Sequence, residues 1–261
     1  MFPYLNFFGL NIPVYWLCGL AGGGCCAVLL IVRHRVFPGL KQVDITNAAA
    51  LGLVGMILGA RLLYLLTMLP LVLENRDYLR EHGDVLKDIL LNGMVFYGGL
   101  FGFLAAVLIY LKKYRLELPL FWDYAAPCLP LFHAFGRIGC FFSGCCHGLE
   151  SEHFGLVFAR SIGGPSDRPL FPLQLVGAAC EFCLFMAVLL FEKRHRGEGK
   201  ALYFYLTVYA VGRFIYEFFR GDEIRGIYAG LSVSQWISLV LLAAMIIRFF
   251  IRKRRPVHTE A

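Results

Sequence analysis

The chain has 261 residues, 59% of them hydrophobic and only 16% charged, with a mean hydropathy of +0.65. Soluble domains carry about a quarter charged residues, so this composition argues against a water-soluble protein and for one that crosses a bilayer repeatedly. The net charge of +7 matches a basic face against anionic lipid and calls for no nucleic acid.

A spanning helix needs about 20 mainly apolar residues. On that measure seven spans are predicted, over about 13–32, 46–73, 93–111, 119–143, 171–191, 201–219 and 231–251. The expected fold class is all-α, a single polytopic transmembrane domain over residues 1–261. Residues 1–12 lack a basic n-region, and no convincing cleavage site follows the first apolar run, so a cleaved signal peptide is not expected. Between the second and third spans lies "ENRDYLREHGDVLKDILLNG", charged and partly amphipathic, which reads as an interfacial helical segment over about 75–92. Residues 147–170, with Gly163, Gly164, Pro165 and Pro169, read as an irregular outer loop.

Lysine and arginine set the orientation. Arg33, Arg35 and Lys41 follow the first span; Lys112, Lys113 and Arg115 the third; Lys193, Arg194, Arg196 and Lys200 the fifth. Arg248, Arg252, Lys253, Arg254 and Arg255 end the seventh. The opposite face has fewer: Arg76, Arg80, Lys87, Arg160, Arg168, Arg220 and Arg225. The first face is therefore expected in the cytoplasm, with the N-terminus outside and the C-terminus inside.

Arg61, Arg137 and Arg213 remain, all within predicted spans. An arginine at mid-membrane costs about 2.5–3.5 kcal/mol on insertion scales, so each needs a partner, water or an anionic ligand. Glu217 lies four residues after Arg213, on the same helix face, and a local ion pair would satisfy that helix. It would leave Arg137 uncompensated. Arg137 and Arg213 are both expected toward the outer leaflet, and two guanidinium forks at one depth suit a phosphate such as a lipid head group. Glycines cluster nearby in sequence: Gly98, Gly99 and Gly102 in "FYGGLFGF", and Gly136 and Gly139 in "GRIG". They admit close approach of either a ligand or another helix.

Nine cysteines are present, an odd number without the paired spacing of a disulfide framework. Cys140, Cys145 and Cys146, followed by His147, lie just beyond Arg137. Cys140 reads as apolar filler. A cationic setting favours thiolate at Cys145 or Cys146, so an internal nucleophile is a second reading. A metal site is a third, although adjacent cysteines in one short cluster miss the usual zinc spacing, and no metal or other cofactor is expected. Redox pairing is a fourth; a bond between Cys140 and Cys145 would require a non-helical bend.

With these residues in view, the chain resembles the bacterial prolipoprotein diacylglyceryl transferase family. The likeness runs through "LGARLLYLL" (58–66), "NGMVFYGGLFG" (92–102), "DYAAPCLPLFHAFGRIG" (123–139), "FPLQLVGAACE" (171–181) and "GRFIYEFFR" (212–220). It implies a multi-pass enzyme of the bacterial cytoplasmic (inner) membrane. That enzyme would move the diacylglyceryl group of phosphatidylglycerol to the lipobox cysteine of a prolipoprotein, or to another thiol acceptor, releasing glycerol phosphate. Arg137 matches the family's signature arginine, Arg213 and Glu217 its late-helix pair, and Gly148 the glycine closing the signature. The sequence departs from the family at several polar positions. Tyr97 stands where the family has the histidine of "FHGG", Cys140 and Ser143 replace asparagines, and Cys145 replaces a glutamate.

Transfer to sulfur requires a held phosphate, a deprotonated thiol and in-line approach. Arg137 and Arg213 can stabilise charge on the departing phosphate, and Glu217 can orient Arg213 or act as base. Tyr97, with an ordinary pKa of about 10, is expected to donate to the lipid head group beside Gly98 and Gly99 rather than to serve as base. His133, four residues before Arg137, can supply the basic function that Tyr97 lacks. Ser143, Cys140, His147 and Gly148 complete the expected substrate site. Asp123 is expected to cap or anchor the start of the fourth span. An anionic lipid or solute transporter, and a membrane thiol oxidoreductase using Cys140, Cys145 and Cys146, remain as alternatives.

Overall fold

The computed structural model describes residues 3–7, 10–91, 93–162, 164–222 and 226–254; Asn92, Gly163, Arg225 and Arg255 lie outside the described residues. A hairpin of β1 (Tyr4–Phe7) and β2 (Leu10–Pro13) leads into α1 (Val14–His34). There follow α2 (Gln42–Glu74), the short α3 (Arg76–Glu81) and α4 (Gly83–Leu91), and α5 (Phe96–Lys113). The fourth predicted span is two helices, α6 (Leu118–Ala125) and α7 (Cys128–Ser143). They part at Pro127, which has no N–H to continue the ladder.

Beyond α7 the expected irregular loop contains a small hairpin, β3 (Leu156–Val157) with β4 (Pro169–Leu170). Then come α8 (Leu173–Arg194) and α9 (Lys200–Tyr216), which tightens into a 3-10 turn over Glu217–Phe219. A hairpin of β5 (Ile227–Tyr228) and β6 (Leu231–Ser232) precedes α10 (Val233–Arg254). Among the described residues, five helical stretches are long and apolar enough to cross a membrane: Val14–His34, Gln42–Glu74, Leu118–Ser143, Leu173–Arg194 and Val233–Ile251. The other two predicted spans coincide with α5 and α9, of 18 and 17 residues. Large apolar side chains such as Leu20, Leu62, Val240 and Phe249 lie exposed, a surface suited to lipid, where helices satisfy their own backbone.

The chain divides into two compact units, one of residues 37–118 and the other of 1–36 with 119–261. In the first, α2 packs on α5 through facing glycines. A Cβ on Gly59 would lie 2.3 Å from the Gly98 carbonyl oxygen, and one on Gly102 would lie 2.1 Å from that of Gly55. Only glycine permits this backbone approach. The glycines of "FYGGLFGF" thus serve helix packing: Gly98 and Gly102 against α2 backbone, and Gly99 beside Met56.

In the second unit α7 packs on both α1 and α8, and α9 on both α8 and α10. Gly22 admits Phe135, and Gly139 admits Tyr15. A buried core of Ala126, Val188, Ala201 and Tyr205 ties the region after α6 to α8 and α9. Buried polar groups are tied off in the same region. Asp123 accepts hydrogen bonds from the Gly199 and Ala201 amides at 2.8 and 2.9 Å. It is therefore a cap, but for the start of α9 rather than for its own helix. Arg33, expected to face head groups after the first span, is instead the last-turn residue of a longer α1. It is buried, 3.3 Å from Glu192, which also binds Arg196 at 2.6 Å.

Candidate active site

Three elements bring the site residues together: the end of α7, the start of α8, and the end of α9 with its 3-10 turn. Arg137 is buried on α7, and its guanidinium carbon lies 4.8 Å from the centre of the Tyr216 ring. Arg213 approaches the same ring at 5.6 Å. The ring's negative π-face attracts both cations, and the Tyr216 hydroxyl is anchored by donating to the Leu173 carbonyl at 3.0 Å. Gly177 on α8 makes room, since a Cβ there would come 3.1 Å from the Tyr216 hydroxyl and 3.4 Å from Arg137 Cδ.

The Arg213–Glu217 pair expected from the i,i+4 spacing is present, Nη1 to Oε2 at 2.7 Å, and Arg213 Nη2 also donates to Ser234 Oγ at 2.9 Å. Among the described residues no carboxylate forms an ion pair with Arg137. It lines a cavity of about 140 Å³ together with Gly177, Cys180, Glu181, Leu184, Val208, Tyr209, Gly212, Arg213 and Tyr216. The mixture of two arginines with an apolar wall suits a charged head on a greasy body. On the same cavity, Glu181 Oε1 lies 2.8 Å from His133 Nδ1. The other Glu181 oxygen is buried with no hydrogen-bond partner among the described residues. His133 is thus engaged with Glu181 and meets Tyr209 in a tilted ring contact, 5.3 Å between ring centres with the planes at 56°.

Arg220, read from sequence as an outer-face loop residue, is drawn inward. Its Nη1 lies 3.6 Å from Glu217 Oε2, and its Nε donates to Asp222 Oδ1 at 2.9 Å, with a second bond to the same carboxylate. Burial alone would lower its pKa; the Asp222 carboxylate outweighs burial and holds it above the ordinary guanidinium value. Glu217 therefore faces two arginines and holds both in place.

The signature loop docks on this segment. Helix α7 ends at Gly144 in the left-handed conformation, φ 75°, the usual way to stop a helix and reverse the chain. Gln174 holds the turn by donating to the Cys145 carbonyl at 2.8 Å. Gly148 bridges Arg220 in antiparallel fashion, its N–H donating to Phe171 O at 2.9 Å. The Gly221 N–H donates to His147 O at 3.1 Å. His147 is buried in the loop, with Nδ1 3.0 Å from Gly148 O and its ring against Gly164. Ser143 is buried, and its carbonyl receives the Ile162 N–H at 3.0 Å.

The same reversal gathers the thiols. The sulfurs of Cys140, Cys145 and Cys146 all lie within 4.8 Å of one another, each residue partly exposed. Cys146, beyond the helix end, is held below the ordinary thiol pKa. Hydrogen bonds from Cys140 and Cys145 lower it, and the Arg220 and Arg137 guanidinium groups add to that against the cost of burial. Tyr97, Gly98 and Gly99 belong to the first turn of α5 in the other unit, where Tyr97 is half exposed.

Tyr216, Arg220, Asp222, Glu181 and Gln174 were not singled out from the sequence. For Tyr216 and Arg220 a signal existed: in "GRFIYEFFR" they stand three residues after Arg213 and three after Glu217.

A family model described as prolipoprotein diacylglyceryl transferase matches residues 3–251. A protein of Clostridium tetani named phosphatidylglycerol-prolipoprotein diacylglyceryl transferase is 34% identical, the match covering 95% of this chain and 96% of that one. A second such protein, numbered 2, of Clostridium perfringens is 32% identical over 94% and 93%. One of Idiomarina loihiensis is 33% identical over 95% and 91%. Agreement of this extent, running end to end through the arginine site, shows that the chain belongs to the prolipoprotein diacylglyceryl transferase family.

Proposed function

We propose that this protein transfers the diacylglyceryl group of phosphatidylglycerol to the cysteine thiol of a prolipoprotein, releasing glycerol phosphate. The observation that carries the reading is the cavity shared by Arg137 and Arg213 within a chain of this family. The phosphate of the lipid sits on Arg137, which has no carboxylate competing for its charge among the described residues. Arg213, held by Glu217 and Ser234, supplies the second cation. As the bond between the glyceryl carbon and the phosphate oxygen breaks, negative charge grows on the phosphate, and preorganised guanidinium groups stabilise it there. Tyr216 fixes both arginines, and Arg220 joins them through Glu217. Gly148 and His147 hold the loop that closes the site, whereas Gly98 and Gly99, in the other unit, pack against α2. Family membership favours this reading over transport or thiol redox exchange.

The protein is read as a seven-span enzyme of the bacterial inner membrane. Its N-terminus is outside and its C-terminus in the cytoplasm, with α3 and α4 at the interface and residues 147–170 on the outer side. The bias of lysine and arginine supports that orientation. The test is mass spectrometry of a lipobox-cysteine peptide incubated with the purified protein and phosphatidylglycerol. A peptide gaining a diacylglyceryl mass with release of glycerol phosphate is expected. An unmodified peptide with folded, lipid-supplied protein would overturn the reading.

A further inference from the structure

Outside the residues that line the arginine cavity, the end of α7 gathers a cluster of three thiols. Cys140 is in the last turn of α7, and Cys145 and Cys146 lie past the left-handed Gly144. Cys146 is itself left-handed, at φ 57°, a conformation that costs a non-glycine residue and persists only where surrounding structure enforces it. This geometry turns three sulfurs, which are poorly spaced along the chain, to within 4.8 Å of one another. In a tetrahedral zinc site with Zn–S bonds of about 2.3 Å, neighbouring sulfurs are about 3.8 Å apart. Small side-chain rotations suffice to reach that spacing.

We propose that Cys140, Cys145 and Cys146 bind zinc as three thiolates, and that the fourth position of the ion receives the acceptor thiol and activates it for transfer. The proposal rests on the transferase reading above. His147 does not supply the fourth ligand here: the donor atoms that lie within 4.8 Å of one another are the three sulfurs, and the Nε2 edge of the His147 ring packs against Gly164. Three protein ligands with one open position mark a catalytic rather than a structural zinc site, and soft thiolates select such a metal. A zinc ion with three thiolates carries one net negative charge, and Cys140 lies about one turn beyond Arg137 on α7, so the site adjoins the arginine assigned to the phosphate.

The chemistry balances. A thiol that coordinates zinc is deprotonated outright, its proton passing to water. The metal-bound sulfur attacks the glyceryl carbon, forming the C–S bond as the C–O bond to phosphate breaks. The leaving phosphate takes the bonding pair, and the neutral thioether product is a weaker ligand that departs. A zinc thiolate would thus do the work of a general base.

The experiment uses the full-length, reduced protein in detergent, with zinc measured by elemental analysis and cobalt(II) as a spectroscopic substitute. Stoichiometric zinc is expected, as are sulfur-to-cobalt charge-transfer bands that vanish in the combined Cys140→Ser, Cys145→Ser, Cys146→Ser variant. A lipobox-cysteine peptide, but not its serine counterpart, should shift the cobalt d–d bands. Chelation of the wild-type protein should lower transfer by about a hundredfold, the scale of a general base, and zinc should restore it. The chelated wild type and the single Cys146→Ser variant keep the test valid should the combined variant fail to fold. Transfer that proceeds unchanged in metal-free protein would overturn the zinc site and leave the transferase reading intact. Uptake of copper(I) without zinc or cobalt would also overturn it. A cysteine peptide that shifts the cobalt bands yet is never diacylglycerated would overturn the transferase reading instead.

Discussion

Arg137 and Arg213 differ in what surrounds them. Arg213 is neutralised by Glu217, whereas Arg137 leans on the Tyr216 ring and forms no ion pair among the described residues. Arg137→Ala should therefore lower turnover by about 10²–10³, the scale of losing one preorganised donor to a developing oxyanion. Arg137→Lys should recover little, because an ammonium lacks the planar fork. Turnover within twofold of wild type, measured by release of glycerol phosphate, would remove Arg137 from the chemistry. Glu217→Ala leaves two buried arginines facing each other, and removing one partner of a buried pair costs about 3–5 kcal/mol. That should appear as a large drop in thermal midpoint in detergent. Tyr216→Phe keeps the ring between the guanidinium groups and should stay close to wild type. Tyr216→Ala removes a contact of about 0.5–2 kcal/mol for each cation and should weaken lipid binding, visible as a raised KM for phosphatidylglycerol.

At the scale of elements, glycine performs two separable tasks. Gly102→Val would drive a side chain into the Gly55 carbonyl across the α2–α5 contact, where a Cβ already comes within 2.1 Å. Overpacking costs about 1–3 kcal/mol or more, and here the neighbour is backbone that cannot rotate away, so a lowered melting temperature is expected. Gly136, by contrast, has no atom within 4 Å of an added Cβ. Gly136→Ala should leave stability unchanged within about 0.5 kcal/mol, as is usual for sites without packing neighbours. Any loss of transfer in that variant would then report on a ligand rather than on folding. Asp123 links two elements, capping α9 from α6. Asp123→Ala should destabilise by about 1–2 kcal/mol, as loss of an N-cap does, and thermal unfolding would register it.

For the whole molecule, the testable quantity is orientation. In the proposed orientation, Lys193, Arg194, Arg196 and Lys200 between α8 and α9, with the basic end of α10, are the charges that would hold these ends in the cytoplasm on the positive-inside rule. A fluorescent protein fused to the C-terminus should be bright. A phosphatase that is active only outside should be silent when fused after Arg115 and active when fused within residues 150–160. The opposite pattern would invert the topology. Arg33 and Arg196 are not equivalent to the other basic residues in this respect, because both are bound by Glu192; their replacement should cost stability before it alters orientation.

Much of the fold is determined by the sequence alone, because lipid demands long apolar helices and makes every charge within them conspicuous. Arg137, Arg213 and Glu217 could be singled out for that reason, and the i,i+4 spacing alone specified their one local pair. Tyr216 escaped notice because an aromatic in a span resembles core, and Arg220 because an arginine at a helix end resembles a head-group contact. Glu181 and Asp123 depend on partners contributed by helices remote in sequence. The thiols show the difference most sharply. Along the chain their spacing argues against a common ligand, since a straight helix would scatter them around its axis. Only the reversal at Gly144 and the left-handed Cys146 bring the three sulfurs together, because proximity across a chain reversal is a property of backbone geometry and not of residue order.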